Sequence, residues 1–427
     1  MAPRRPGLPP LGDGVPFADP AWYQGHASPY YTASHAAFRD RCRAWAESVK
    51  PRAEEWLEKG ASYPRELHRE AYDAGIAGAI FPQEYDGTPP EGFDAFHEVI
   101  MWDELARVGV PGVMGGLAIN SMALPPVLEH GSDAMRREVA PPVIRGEKFI
   151  CLAISEPTAG SDVSAIRASA VRSEDGASFV INGQKKWISN GLWASWFVMA
   201  VRTGGPGMAG ISLVLVPADT PGLHVRKLET QAADTSNTTF VTLDDVRVPL
   251  SNMIGEEGRG FRYIVTNFNH ERLVLSVQAT RCARLCLEEA TRHALRRKTF
   301  GKRLVEHQVI RAKIATMARL IESSWDMVES LAYQIASGVP DAELGGRAAL
   351  CKVQSTLTFE TCAREASQIF GGASVIKEGK GKVIERLYRS VRSMAIPGGS
   401  IEILDDLAVR EGFKRAMLKQ APGVLNP

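Results

Sequence analysis

The period of the apolar residues changes twice along this chain, and that constrains the fold more than any single residue. From Ser34 to about Gly146 charged and apolar residues recur at spacings of three and four, as in AAFRDRCRAWAESVKPRAEEWLEKG, which predicts helices. Pro64 opens a further helix, closed by the turn residues of GIAGAIFPQEYDG. Between Phe149 and about Gly255 the pattern becomes that of strands: FICLAI, SFVINGQKKWIS, WFVMAVRT, GISLVLVP, LHVRKL and TTFVTLDDVRVP. Turn residues such as Asp175-Gly176 and Asn182-Gly183 bound them. From Phe261 the helical period returns over about 261–296, 306–337, 341–370, 383–392 and 400–415, and four such helices can pack as an antiparallel bundle. The expected architecture is mainly α with an interposed β domain. Its parts are a tail at 1–32, a helical domain at 33–148, a β-barrel-like domain at 149–258 and a helical bundle at 259–420. With 427 residues and 44% apolar content the chain can bury a large core.

Lysine plus arginine number 50 against 49 acidic residues, so no broad field draws the chain to nucleic acid or to an anionic membrane surface. No apolar run approaches the roughly 20 residues of a membrane span, and no signal-peptide core follows the start. The opening MAPRRPGLPPLGDGVPFADP is too proline-rich for an amphipathic transit helix and reads as a flexible or wrapped tail. The C-terminal Val-Leu-Asn-Pro is no peroxisomal address, and a cytoplasmic location is expected, with an organelle left open. The six cysteines (Cys42, Cys151, Cys282, Cys286, Cys351, Cys362) show no CxxC spacing, so neither a disulfide framework nor a metal site is expected. Cys282 and Cys286 lie one helical turn apart with nothing nearby to complete a metal site, and read as core.

Two polar stretches stand close together, SEPTAGSD at Ser155 to Asp162 and KKWISNG at Lys185 to Gly191. The first supplies hydroxyls and small residues (Ser155, Thr158, Gly160, Ser161) that let backbone N–H groups approach a pyrophosphate or ring oxygen. The second supplies an indole, Trp187, to lie against an aromatic ring and Ser189 to bond its polar edge. No GxGxxG follows a strand, and GKGK at 379–382 lacks the upstream glycine of a P-loop. In these paired motifs, and from about Ala33 to about Arg415, the chain resembles the acyl-CoA dehydrogenase family.

That resemblance implies the family's fold, helical domain then β domain then helical bundle, and FAD as a non-covalent cofactor. It implies that Ser155 and Ser161 bond the ring and pyrophosphate, and that Trp187 and Ser189 cover the ring edge. Arg297, Phe300 and Gln308, in RKTFGKRLVEHQ, correspond to residues that reach the FAD of a neighbouring subunit. Gln368, Gly371 and Gly372, in QIFGG, correspond to a loop along the adenosine half, and Ser400 and Glu402 complete the set. A homotetramer or homodimer follows if the cofactor straddles subunits. The implied electron acceptor is an electron-transfer flavoprotein or similar, and the implied setting is fatty acid metabolism.

The family's chemistry takes a proton from the carbon α to a thioester while a hydride leaves the β carbon. In its commonest pattern the base is a glutamate in an IYEGT stretch; the matching run is Ile396-Pro397-Gly398-Gly399-Ser400, where Gly398 cannot accept a proton. Helical geometry offers another carboxylate. Phe261, Ile264, Phe268, Leu275, Ala279, Cys282 and Cys286 form an apolar stripe, and Glu271 falls on it. Its neighbours Asn267, Phe268, Val274 and Leu275 include no cation, so desolvation is expected to raise its pKa toward the range of a general base. Isovaleryl-CoA and long-chain acyl-CoA dehydrogenases, which the chain resembles here, use a glutamate on this helix immediately before an arginine, as in His270-Glu271-Arg272. By the same resemblance Arg272, with Ser161 and Gly398, contacts the acyl-CoA. A glutamate introduced at Gly398 is expected to restore a base at the usual place. Ser390, after Tyr388-Arg389, departs from the family's aspartate. The rival readings are a carrier-protein-bound or non-CoA substrate, including direct oxygen use, and a non-catalytic flavoprotein that binds nucleic acid.

Overall fold

The computed structural model describes residues 14–231 and 236–418, so the first part of the expected tail and the last residues of the chain lie outside what is described. The chain forms two compact units, one built from Met1–Lys50, Asp94–Val110 and Arg272–Pro427, the other from Pro51–Phe93 and Pro111–Glu271. Among the described residues no helix is long and apolar enough to cross a membrane.

The second unit holds the strands. β1 (Ile150–Ala153), β2 (Ser169–Arg172), β3 (Ser178–Ile188), β4 (Trp196–Arg202), β5 (Ile211–Pro217), β6 (Leu223–Lys227), β7 (Thr239–Pro249) and β8 (Met253–Ile254) form one sheet in the order β6-β7-β3-β2-β4-β5-β8, with β1 parallel to β4. Its centre shows why the sequence reads as strand. Along β4 the side chains of Trp196, Val198 and Ala200 join one apolar cluster, and those of Phe197, Met199 and Val201 join another, because successive residues face opposite sides. The first cluster is closed by Leu124, Val127, Met135, Val139 and Val143 from α5 (Pro125–His130), α6 (Asp133–Ile144) and the residue before α5. Each of these side chains contributes on the order of 1.5–3 kcal/mol on full burial.

Two expectations change here. β2 has no counterpart among the expected strands, because four residues with one fully buried side chain leave little alternation to read. Asn182-Gly183 is no hairpin turn but a bulge inside β3, where the register against β7 shifts between Ile181 and Gly183. Gly183 sits at φ +144° and a Cβ there would meet Ala168 Cα at 2.6 Å, while the Asn182 amide donates to Asp245. A second bulge follows between Lys186 and Ile188.

In the first unit α9 (Asp341–Phe370) packs against α8 (Gln308–Ala336), α10 (Lys382–Ala395) and α11 (Ile401–Leu418), and α3 (Ala95–Ala106) packs against α8. The long helix α7 (Gly260–Arg296) is tied to α3 and α8 through Arg281 to Asp103 and Arg284 to Glu322. The stripe expected along α7 holds only for its first turns. From Glu271 to Glu288 every residue is buried, so the helix is enclosed on all faces there. Charges normally assigned to a solvent face, Arg281, Arg284 and Glu288, are carried inside by ion pairs.

The wrapped reading of the tail holds for its described part. Arg281 donates to Ala18 O and Asp19, Arg284 donates to Phe17 O, and Tyr23 donates to Asp103. Asp19 also receives Arg43 and Arg107. Burial works against the Asp19 charge, but Arg281, Arg107 and Arg43 outweigh it and hold the carboxyl below its usual value of 3.8. A depressed folded-state pKa contributes stability above the unfolded value that is lost as pH falls through the folded one. We therefore expect Asp19→Asn to lower the melting temperature at neutral pH, with the difference from the parent shrinking as pH falls below about 4. Thermal melts from pH 7 to pH 2.5 test this, and a pH-independent difference would remove the charge from the argument.

Candidate active site

The two polar stretches seen in the sequence meet through their backbones and through one buried ion pair. Lys186 N donates to Ser155 O at 2.9 Å. Lys185 Nζ, fully buried, donates to Ile154 O at 2.9 Å and to Glu156 Oε1 at 2.8 Å. Glu156 also accepts the N–H groups of Arg167 and Ala168. Burial draws the lysine down to about 8 while Glu156 acts to raise it. Neither partner was singled out from sequence, because a charge in a strand reads as solvent-facing.

The end of β3 and the turn that follows it are held equally firmly. Trp187 sits at φ +70° and Asn190 at φ +57°, a region that costs a non-glycine residue energy and persists only where the surroundings impose it. Asn190, buried, donates to Tyr63 OH and Gly116 O, and Tyr63 OH pairs with His68 Nε2. Burial pushes His68 down to about 3, so it is neutral at physiological pH. Thr239 donates to Ile188 O, and a Cβ on Gly191 would strike Thr239 Oγ1 at 2.1 Å. Within this rigid frame the Trp187 indole is 56% exposed, with the Lys186 ammonium 4.4 Å from its centroid.

Ser155, through its backbone bond to Lys186, and Ser189, two residues on in the chain, lie near Trp187. Ser155 and Ser189 are half-buried, Thr158 and Ser161 are exposed, and nothing lies within 4 Å of where a Cβ on Gly160 would be. An exposed indole on an imposed backbone, beside hydroxyls and an open glycine, fits a flat ring with a polar edge and a phosphate chain. The flavin expectation thus meets a donor set of the right chemistry.

In the same unit Glu271 is buried, 7% exposed, and its Oε1 accepts from Asn267 Nδ2 at 3.0 Å. The other hydrogen of that amide goes to Met122 O at 2.7 Å. Helical spacing puts Asn267 beside Glu271, but a neutral amide carries no sign in sequence that it donates to the carboxylate.

In the other unit Arg272, also buried, donates from Nε to Gly398 O at 3.2 Å. Lys352 on α9, fully buried, donates to Ala395 O and to Gly399 O, so two cations hold the carbonyls of the turn that joins α10 to α11. Gly398 lies at φ +70° and Gly399 at φ +107°. A Cβ on Gly398 would meet Leu275 Cδ1 at 2.7 Å. The expectation that a glutamate at Gly398 restores a base therefore meets an obstacle. Gly398→Glu is expected to cost about 1–2 kcal/mol in backbone strain alone, plus displacement of Leu275. It is expected to leave a Glu271→Gln variant inactive, and recovered flavin reduction in the double variant is the outcome that would contradict this.

The residues expected to reach a neighbouring subunit all face outward. Phe300 and Gly301 form the two-residue turn of a small hairpin, β9 (Lys298–Thr299) and β10 (Lys302–Arg303), both at positive φ, and Phe300 is 96% exposed at the tip. Arg297 and Gln308 are exposed, as are Gln368, Gly371, Gly372 and Glu402, while Ser400 is half-buried.

Among the described residues His35, Asp94 and His97 group as potential metal ligands. Their hydrogen bonds are those of a helix cap. Thr32 N donates to His35 Nδ1, Asp94 N donates to His97 Nδ1, and Asp94 receives the first N–H groups of α3.

The whole chain also has close relatives. The family descriptions "Acyl-CoA dehydrogenase, N-terminal domain", "middle domain" and "C-terminal domain" match residues 32–147, 151–246 and 258–412. Acyl-CoA dehydrogenase apdG of Emericella nidulans is 38% identical over 94% of this chain and 95% of its own length. Acyl-CoA dehydrogenase AFT10-1 of Alternaria alternata is 36% identical over 93% and 96%. The solved structure of butyryl-CoA dehydrogenase from Megasphaera elsdenii superposes with a TM-score of 0.83 at 28% identity, covering 91% of this chain and 100% of that one. Three consecutive domain matches on a helix–sheet–helix chain lead to one conclusion: the protein is an oxidoreductase enzyme that belongs to the acyl-CoA dehydrogenase family.

Proposed function

We propose that this enzyme converts an acyl-CoA thioester to its trans-2-enoyl form, with Glu271 as the base that removes the α proton. The observation that carries the reading is a buried carboxylate at Glu271, oriented by a hydrogen bond, in a chain whose Gly398 has no side chain to do the same. FAD, the cofactor on which this family depends, supplies the acceptor for the β hydride when bound. Ser155, Ser161, Trp187 and Ser189 hold its ring end. Arg297, Phe300, Gln308, Gln368, Gly371, Gly372, Ser400 and Glu402 serve a cofactor shared between subunits of a homotetramer or homodimer. The outward position of Phe300 on a turn at positive φ supports that assignment, since its ring is 96% exposed, with the edge-on His307 ring 6.2 Å away.

Arg272, immediately after the base, anchors the thioester's pantetheine or phosphate side from the turn it holds at Gly398, and Ser161 is assigned to the same substrate. The proton arrives on a Glu271 oxygen. An electron-transfer flavoprotein or similar acceptor takes the electrons onward. Fatty acid metabolism and a cytoplasmic setting complete the proposal, and six free cysteines, all buried, are compatible with a reducing compartment.

The test is anaerobic bleaching of the FAD-loaded protein by free acyl-CoA thioesters of graded length and branching. Bleaching by one of them, with formation of the enoyl product, is expected. Failure of all of them, with bleaching by a carrier-protein thioester, would overturn the assignment of a CoA substrate.

A further inference from the structure

We propose that Asn267 is a positioning residue for the reaction, holding the Glu271 carboxylate in one orientation toward the proton it removes. The inference rests on the reading of Glu271 as the base and adds a residue to it. Asn267 precedes Glu271 by one helical turn on α7, the spacing at which side chains meet on one face. It is 8% exposed, and its amide nitrogen uses both hydrogens, one on Glu271 Oε1 at 3.0 Å and one on Met122 O at 2.7 Å.

The second bond gives the first its effect. Met122 O belongs to the backbone of α4 (Pro111–Ala123), a helix whose sequence PGVMGGLAINSMA contains no ionisable side chain. The amide is therefore pinned to a fixed backbone atom, and through it one oxygen of Glu271 is pinned as well. A glutamate without such a partner samples three side-chain torsions, and each wrong rotamer takes the accepting oxygen off the line of the α C–H bond. The bond fixes the plane in which the carboxylate lies. Asn267 Oδ1 is also buried without a hydrogen-bond partner, so the amide orientation is set by what its nitrogen donates to. A residue kept only for packing would leave no polar atom unsatisfied, since that carries a cost.

The test compares FAD-loaded parent, Glu271→Gln, Asn267→Leu and Asn267→Asp enzymes in anaerobic rapid mixing with an acyl-CoA and with its α-deuterated form. Leucine removes both donors with little change in size, and aspartate keeps the shape but cannot donate when ionised, so one variant serves if the other misfolds. Asn267 variants are expected to bind the thioester with unchanged affinity and to reduce the flavin roughly 10- to 100-fold more slowly, the range a small misplacement of a reacting group produces. The α-deuterium isotope effect on reduction is expected to rise, because proton removal becomes more limiting. A merely structural role would weaken binding or FAD retention without changing that isotope effect. Near-parental reduction with an unchanged isotope effect in a folded Asn267 variant would overturn the proposal while Glu271→Gln remained inactive. Rapid reduction in Glu271→Gln would instead remove the base itself, so the two failures are distinct.

Discussion

Glu271→Gln is expected to leave a folded, yellow, FAD-bound protein whose flavin is reduced by acyl-CoA about 10² to 10⁴ times more slowly than in the parent. Glutamine keeps the length of the side chain and can still offer its carbonyl oxygen to Asn267 Nδ2, so the local bond and packing persist. What it cannot do is accept a proton at neutral pH. Thioester binding is therefore expected to change little, and the loss to fall on the reduction step. Anaerobic stopped-flow absorbance separates the two. Reduction within a few-fold of the parent would mean that another group takes the proton, and Gly398 offers none.

The second large effect lies in the proposed flavin seat. Lys185→Met removes the cation from a fully enclosed pair and leaves Glu156, 4% exposed, with two backbone N–H partners among the described residues. Breaking a buried pair from one side costs on the order of 3–5 kcal/mol, because the remaining charge is uncompensated. For a domain of this size that corresponds to a fall of roughly 6–20 °C in melting temperature. The same change frees Ile154 O and loosens the link between the two polar stretches, so FAD retention on gel filtration is expected to fall as well. Adding Glu156→Gln to Lys185→Met removes the stranded charge and is expected to recover part of the stability. If Lys185→Met melts within about 2 °C of the parent, the pair does not hold the seat together.

What the sequence revealed, and what it concealed, follows from the range of the interactions. The alternation of period was readable because helices and strands bury a face, and the observed helices Gly260–Arg296, Asp341–Phe370 and Ile401–Leu418 begin and end near the expected places. The burial of Glu271 was readable because apolar residues flank it one turn away on its helix, although the helix proves to be enclosed on all faces from there to Glu288. The enclosure of α7 was not, since the partners that let Arg281 and Arg284 go inside, Asp19, Asp103 and Glu322, are far away in sequence. The same holds for Lys185 with Glu156 and for Asn190 with Tyr63, where a charged or polar letter carries no sign of its distant partner. Asn182-Gly183 misled for the opposite reason. The dipeptide favours a tight turn locally, but pairing with β7 along the whole strand converts it to a bulge. Gly398 showed that a base was missing, but not that its carbonyl and left-handed φ were already in use.

The wrapped N-terminal segment has a practical consequence for anyone preparing this enzyme. The match to the family's N-terminal domain begins at residue 32, which invites an expression clone that starts there. Such a shortened protein would lack Asp19 and the Ala18 and Phe17 carbonyls, stranding guanidinium groups inside a helix assembly with fewer acceptors than they were folded around. The sensible place for a tag or a cut is upstream of that anchor, not at the boundary that homology suggests.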